Sequence, residues 1–445
     1  MPEVAPEPTV VGDRDQVLSY IDRANIGNAN IEGMSEDLHP SGQQYNHGIA
    51  PNYSTLLTLR LLMGVFEAGL FPGAIIILNK WYSKFELGTR FSLFYIGAAL
   101  AGAFSGIMAY GFAKMHGVGG LEGWRWIFIM EGLITVVVGG GSFFVLPDSP
   151  ESESGKKKGW IHESEAEYII ARLSLQDRGG AEAHPSPEGG NEKISKKVFW
   201  SVIIDWQIYL IVLVYWSNTV PNYGLKFMMP QIIKNMGFTA SSAQLLTIPP
   251  YIAGAISAYI FGLFSDRFKR RAVFIAVPQL LLITAYAILT PLAPKISSNI
   301  GPCFFAIILA NIGIYPINPG ATSWLSNNLS GPGKRAIGIA YATSLTNVGG
   351  IFASYILLDS EAPAYGMGFG VTIAMVGLGL GAVVGLEWAY VSINKGRERK
   401  DMVVQQAEAG AGGGDGLRGG AGRDANVEVG ALGEGDRALS FRYTL

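Results

Sequence analysis

The chain has one cysteine in 445 residues, Cys303, and five histidines. One thiol excludes an internal disulfide framework and a multi-thiolate metal site. His39, His47, His116, His162 and His184 are scattered and form no ligand cluster. Charge is scarce as well, at 15% of residues against about 25% in soluble domains. A net charge of −2 implies no nucleic-acid partner. The opening, "MPEVAPEPTVVGDRD", lacks the basic start and apolar core of a secretory signal. No Ser/His/Asp triad or paired-carboxylate site stands out, so the chain is not expected to be an enzyme.

What fills the chain is apolar: 49% of residues are hydrophobic and the mean hydropathy is +0.28. A spanning helix needs about 20 mostly apolar residues, and in lipid only helices and closed barrels satisfy their backbone. Nine stretches qualify: 56–79, 91–113, 124–146, 206–229, 244–264, 272–293, 300–324, 336–358 and 366–393. The expected fold is therefore an all-α polytopic membrane protein. Residues 1–16 read as a disordered N-terminus and 17–146 as a first helical bundle. Residues 147–205 are polar, with "KKK" at 156–158 and the amphipathic "SEAEYIIARL", and read as a cytoplasmic linker. A six-helix bundle follows over 206–393. The Gly-rich remainder, 394–445, reads as a disordered cytoplasmic tail. Lys and Arg concentrate in alternate loops, which predicts that those loops and the C-terminus face the cytoplasm.

Only three clear spans precede the linker. A tenth candidate, 17–31, carries Asp22 and Arg23, and each central charge opposes insertion by roughly 2.5–3.5 kcal/mol.

Several strings together resemble fungal members of the major facilitator superfamily: "YIDRANIGNANIEGMSEDL" (20–38), "LRLLMGVFEAGLFPGAIIILNKWY" (59–82), "WRWIFIMEGLITVV" (124–137), "LPDSPE" (146–151) and "WLSNNLSGPGKRAIGIA" (324–340). The group they resemble most is the anion:cation symporters, which include allantoate and nicotinate permeases. "GLFSDRFKRR" (262–271) is similar to the superfamily's cytoplasmic loop motif, matched at Gly262, Asp266, Arg267, Arg270 and Arg271. The resemblance implies twelve spans in two six-helix halves, with that motif in each half. Here the first half is short. The apolar part of the first span and the whole of the second and third, with their copy of the motif, are missing, leaving about 9–10 spans.

The loop motif has two readings, an inner gate in which Asp266 pairs with neighbouring cations, and a positive-inside anchor that fixes topology. Intramembrane charges come next, since they are rare and usually functional. Arg60 and Glu67 are seven apart and share a helix face, with Arg60, nearer the outer end, either a substrate-cavity candidate or a snorkelling side chain. Glu67 lies about ten residues into its span, about 15 Å deep at a rise of about 1.5 Å per residue. It is a proton-coupling candidate, as are Glu131 and Asp22; structural pairing is the alternative. Asn218, Asn222 and Lys226 recur every four residues, with Tyr215 a turn earlier and Pro221 expected to break the helix. Asn311, Tyr315 and Asn318, with Thr322 below them, form a second stripe that Pro316 and Pro319 are expected to interrupt, and Asn347 lies in the next span. Broken polar helices suit a transporter cavity, although interhelical hydrogen bonding explains such stripes equally well. Gly102/Gly106 and Gly377/Gly381/Gly385 have the spacing for close helix approach.

The reading is a proton-coupled symporter, with the anion preference implied by resemblance alone. The expected partners are a small organic anion and the lipid bilayer, with the chain acting as a monomer. No cofactor or metal is expected beyond the proton gradient. The plasma membrane is the expected site. The alternative is a non-transporting membrane protein, a nutrient sensor or a truncated inactive remnant.

Overall fold

The computed structural model describes residues 53–145, 149, 150, 152, 161–177, 196–354, 365–411 and 441–445. Among them every regular element is a helix. Before the linker come α1 (Tyr53–Glu67), α2 (Leu70–Trp81), α3 (Leu87–Ala113) and α4 (Gly123–Val145). The segment read as a linker holds α5 (Glu163–Asp177) and α6 (Lys196–Ile203). The second half comprises α7 (Trp206–Asn235), α8 (Ala240–Leu245), α9 (Ile248–Phe268), α10 (Ala272–Leu292), α11 (Ile300–Asn328), α12 (Pro332–Ser354) and α13 (Gly366–Ala411).

Among the described residues, eight helical stretches are long and apolar enough to cross a membrane. Counting Lys196–Ile203 and Trp206–Lys226, which meet at 56°, as one bent span makes nine. Three lie before the linker and six after it, as the hydropathy pattern predicts. The tenth candidate, 17–31 with Asp22, lies outside the described residues.

Proline acts differently from its sequence reading. Helix α7 runs unbroken through Pro221 and Pro230, and α11 through Pro316 and Pro319. Proline denies a hydrogen bond to the carbonyl four residues earlier. For Pro316 that carbonyl is Ile312, and the Ser257 hydroxyl of α9 donates to it at 2.6 Å. A packed neighbour thus satisfies the freed group and the helix continues. The chain does break at Ala68–Gly69, between α1 and α2. Pro72 sits four residues beyond Ala68 and removes the bond its carbonyl would accept.

The two halves meet where α3 packs along α9 and α11. Glycine sets the closeness of that crossing. A Cβ on Gly262 would sit 2.0 Å from Ser92 Oγ, and one on Gly88 would sit 2.4 Å from Arg271 Nη1. Gly102 and Gly106 also face α8–α9 closely, against Tyr251 and the Gln244 carbonyl. The reading of Gly377/Gly381/Gly385 needs correction: a Cβ on any of them meets nothing within 4 Å among the described residues, while their neighbour Gly379 abuts Ser217.

The tail reading is corrected at both ends. Helix α13 continues to Ala411. Phe441–Leu445 return to the bundle, with Phe441 and Tyr443 only 3% and 6% exposed.

Candidate functional site

The basic loops gather at one end of the bundle, and the loop motif holds the halves together there. Helix α9 ends at Lys269, whose left-handed backbone (φ 55°, ψ 30°) turns the chain back. Arg271 thereby returns to Asp266, with Nη1 and Oδ1 2.7 Å apart. The Asp266 carboxylate also accepts from Gly88 N–H at 3.2 Å, Thr89 N–H at 2.5 Å and the Thr89 hydroxyl at 2.7 Å. Those two amides are donors of the first turn of α3, which the local residue Glu86 leaves uncapped by its side chain. Asp266 therefore caps a helix of the other half, where a carboxylate meets both orphan N–H groups and the positive end of the helix dipole.

The Arg271 side chain is fully buried. It donates to Ser265 Oγ at 2.9 Å and, across the halves, to the Lys84 carbonyl at 2.8 Å. Burial pulls its pKa down from the ordinary guanidinium value, and the charge and hydrogen bond of Asp266 oppose that. Asn327 also donates to the Lys84 carbonyl, at 3.1 Å, and Ser326 donates to Asn79 Oδ1. Of the motif, the structure brings Gly262, Asp266 and Arg271 into this junction. Arg267 and Arg270 stay exposed and act at the surface.

Deeper in the bundle, a cavity lies between the halves. About 90 Å³ of it is open to the centre of a water molecule, room for several waters or a small solute. The first half contributes Glu67, Phe71, Tyr95 and Ala98. Helix α7 contributes Tyr215, Asn218, Asn222 and Lys226, one face over three turns. Helices α11 and α12 add Tyr315, Asn318, Thr343, Thr346 and Asn347. Glu67 is the last residue of α1, at the break before Pro72, and is half-buried.

Internal bonds fix this lining. Tyr215 donates to Thr322 Oγ1 at 2.9 Å, and Thr322 donates to the Asn318 carbonyl at 2.8 Å. Asn218 Nδ2 donates to the Ile314 carbonyl, tying α7 to α11. The rings of Tyr251 and Tyr315 meet edge to face at 6.4 Å.

Not every candidate reaches the cavity. Asn311, on the same stripe as Tyr315, is spent on the Ile307 carbonyl at 2.9 Å and Met229 Sδ at 3.9 Å. That turn of α11 abuts α7 outside the cavity lining. Glu131 is buried, 1% exposed, in α4 and away from the lining. Arg60 lies in α1, with its side chain outside the described residues. Tyr95, Thr343 and Thr346 are lining residues that the sequence reading did not single out. The i, i+3, i+4 spacing of Thr343, Thr346 and Asn347 was the available signal.

A family model described as the Major Facilitator Superfamily matches residues 45–354. The chain belongs to that superfamily. It is a multi-pass membrane protein of that transporter superfamily. Its relatives include the MFS-type transporter cnsO of Penicillium expansum, 31% identical over 88% of this chain and 83% of the relative. The high-affinity nicotinic acid transporter of Saccharomyces cerevisiae is 27% identical over 80% of this chain and 71% of the relative. Among solved structures, the proton:xylose symporter XylE aligns with TM-score 0.58 at 14% identity, covering 84% of this chain and 82% of XylE. At that identity the likeness speaks for the superfamily fold alone.

Proposed function

We propose that this protein is a proton-coupled symporter of a small organic anion, a carboxylate or vitamin-like molecule, in the fungal anion:cation symporter group. The observation that carries the reading is the shared cavity: an acid from the first half, Glu67, with Lys226 and the amides of Asn218, Asn222, Asn318 and Asn347 from the second. Lys226 and the amide N–H groups suit a carboxylate. Glu67 carries the proton. The basic loops and the C-terminus face the cytoplasm, following the positive-inside rule, and the plasma membrane is the site of action. The Asp266–Arg271 junction is the cytoplasmic gate of a state closed on that side. Alternating access follows when the junction parts. The likeness to the yeast high-affinity nicotinic acid transporter supports the anion class.

The first half lacks about two and a half spans in this reading. The alignment with cnsO runs over 444 positions but takes in 88% of 445 residues, about 392. About fifty positions of the relative thus face no residue of this chain, close to what two spans of about 20 residues and their loops would fill. The three-to-six imbalance of spans among the described residues favours a second reading, a non-transporting sensor or remnant. Uptake of labelled nicotinate, allantoate and related carboxylates by cells expressing this chain separates the two. Saturable uptake that collapses with the proton gradient is expected. No uptake, with uptake restored by inserting the missing spans, would transfer the function to the full-length relatives only.

A further inference from the structure

Residues Phe441–Leu445 are held as a ligand is held. Two asparagines grip their backbone, each through both ends of its carboxamide. Asn394 of α13 accepts from Tyr443 N–H at 3.0 Å and donates to the Tyr443 carbonyl at 2.8 Å. Asn328 of α11 accepts from Thr444 N–H at 2.7 Å and donates to the Thr444 carbonyl at 3.2 Å, where Trp324 Nε1 donates as well at 2.8 Å. The Tyr443 ring stacks on Tyr390 at 4.6 Å and 14°, and its hydroxyl accepts from Gln207 at 3.1 Å. Such two-sided amide pairing reads an extended backbone, and the aromatic pocket reads the side chain at one position.

This peptide reaches the gate itself. The backbone N–H of Arg271 donates to a main-chain oxygen of Leu445 at 2.6 Å. Across the halves, Lys84 places its ammonium over the Phe441 ring at 5.5 Å, while its own carbonyl holds Arg271 and Asn327. The peptide therefore lies against the gate loop that carries Arg271 and touches both sides of the junction. Excluding water strengthens an ion pair and makes its separation harder. Covalent attachment makes the docking intramolecular.

We propose that the groove formed by Asn328, Trp324, Tyr390 and Asn394 is a peptide site for a segment of this same chain, Phe441–Leu445, which, docked there, latches the cytoplasmic gate shut. The proposal rests on the gate reading of the Asp266–Arg271 junction and is independent of which solute is carried.

The test uses the protein in lipid nanodiscs with Cys303→Ala and Ser92→Cys, which places one thiol at the buried crossing beside Gly262. Maleimide labelling is expected to be slow in the intact chain and about tenfold faster without residues 441–445. Adding the free pentapeptide FRYTL to the truncated chain should slow labelling again. Its fluorescein-tagged form should bind the truncated chain saturably and the intact chain not at all. Asn394→Ala in the otherwise intact chain should reproduce the acceleration, which keeps the test valid if truncation impairs folding. Peptide binding with unchanged labelling would leave the peptide site and overturn the latch. An unchanged labelling rate in Asn394→Ala, or no peptide binding by a folded truncated chain, would overturn the proposal.

Discussion

Ile300–Asn328 and Gly123–Gly141 are both apolar spans, yet 56% of an apolar 18-residue stretch of the first and 22% of one in the second is buried inside the protein. Leu61–Trp81 fares lower still, at 11%. Among the described spans of the first half only Leu87–Phe112 is well covered, at 67% on the same measure, and its cover is largely α9 and α11 of the other half. Leu61, Val65 and Phe66 on α1 and Leu133, Val136 and Val137 on α4 stay exposed. In a bilayer, lipid tails replace protein neighbours for such residues. The difference teaches where specificity lies. Second-half helices are placed by close contacts and by hydrogen bonds between helices, whereas α2 and α4 are placed by hydropathy and by fewer contacts with α3 and α12.

Breaking the junction between the halves should have the largest effect. Asp266→Ala leaves the fully buried Arg271 without its carboxylate and the first turn of α3 without its cap. A loss of about 3–5 kcal/mol is expected, read as a lower unfolding temperature in detergent. A shift as small as that of an exposed substitution would show that the junction does not hold the halves.

Glycine substitutions sharpen the comparison. Gly262→Ala drives a methyl into Ser92 and should destabilise by about 1–3 kcal/mol. Gly132 of α4 has nothing within 4 Å among the described residues, so Gly132→Ala should be neutral or gain up to about 1 kcal/mol of helix propensity. Equal losses at the two positions, in the same unfolding assay, would erase the distinction between crowded and open halves.

The smallest effect concerns α5. Arg172 donates to Glu86 and, at 3.3 Å, to Ser83 Oγ, fastening α5 to the loop before α3. Burial pushes the Glu86 pKa up, but hydrogen bonds from Arg172 and Ser83 and the Arg172 charge outweigh it, so the value falls below the ordinary one. A lowered carboxylate pKa adds stability above the unfolded value, which is lost as pH falls through the folded one. Solvent screens this half-exposed pair, so the change is slight. Arg172→Ala should flatten the acid side of the unfolding-temperature profile; an unaltered profile would remove the pair from the account.

Much of this was legible in the sequence because it is local. Hydropathy marks the spans, and helical spacing puts Asn218, Asn222 and Lys226 on one face. Gly262 and Asp266 announce the junction by their position in the loop motif. Spacing does not say which turn of a stripe faces the cavity, so Asn311 and Tyr315 look alike although only Tyr315 lines it. Nor does a proline show whether a neighbour will take up the carbonyl it frees, as Ser257 does for Pro316. The docked segment Phe441–Leu445 was the least legible. Five residues after a Gly-rich stretch carry no periodicity, and their groove draws on α7, α11, α13 and the gate loop.

The central claim is that the two halves share one site, with the proton taken by Glu67 of the first and the anion held by Lys226 and the amides of the second. Labelled nicotinate uptake into proteoliposomes under an imposed inward proton gradient tests it most directly, comparing the unaltered chain with Glu67→Gln. The account predicts gradient-driven accumulation by the unaltered chain, and exchange without accumulation by the variant. Accumulation by Glu67→Gln with the same pH dependence would contradict it.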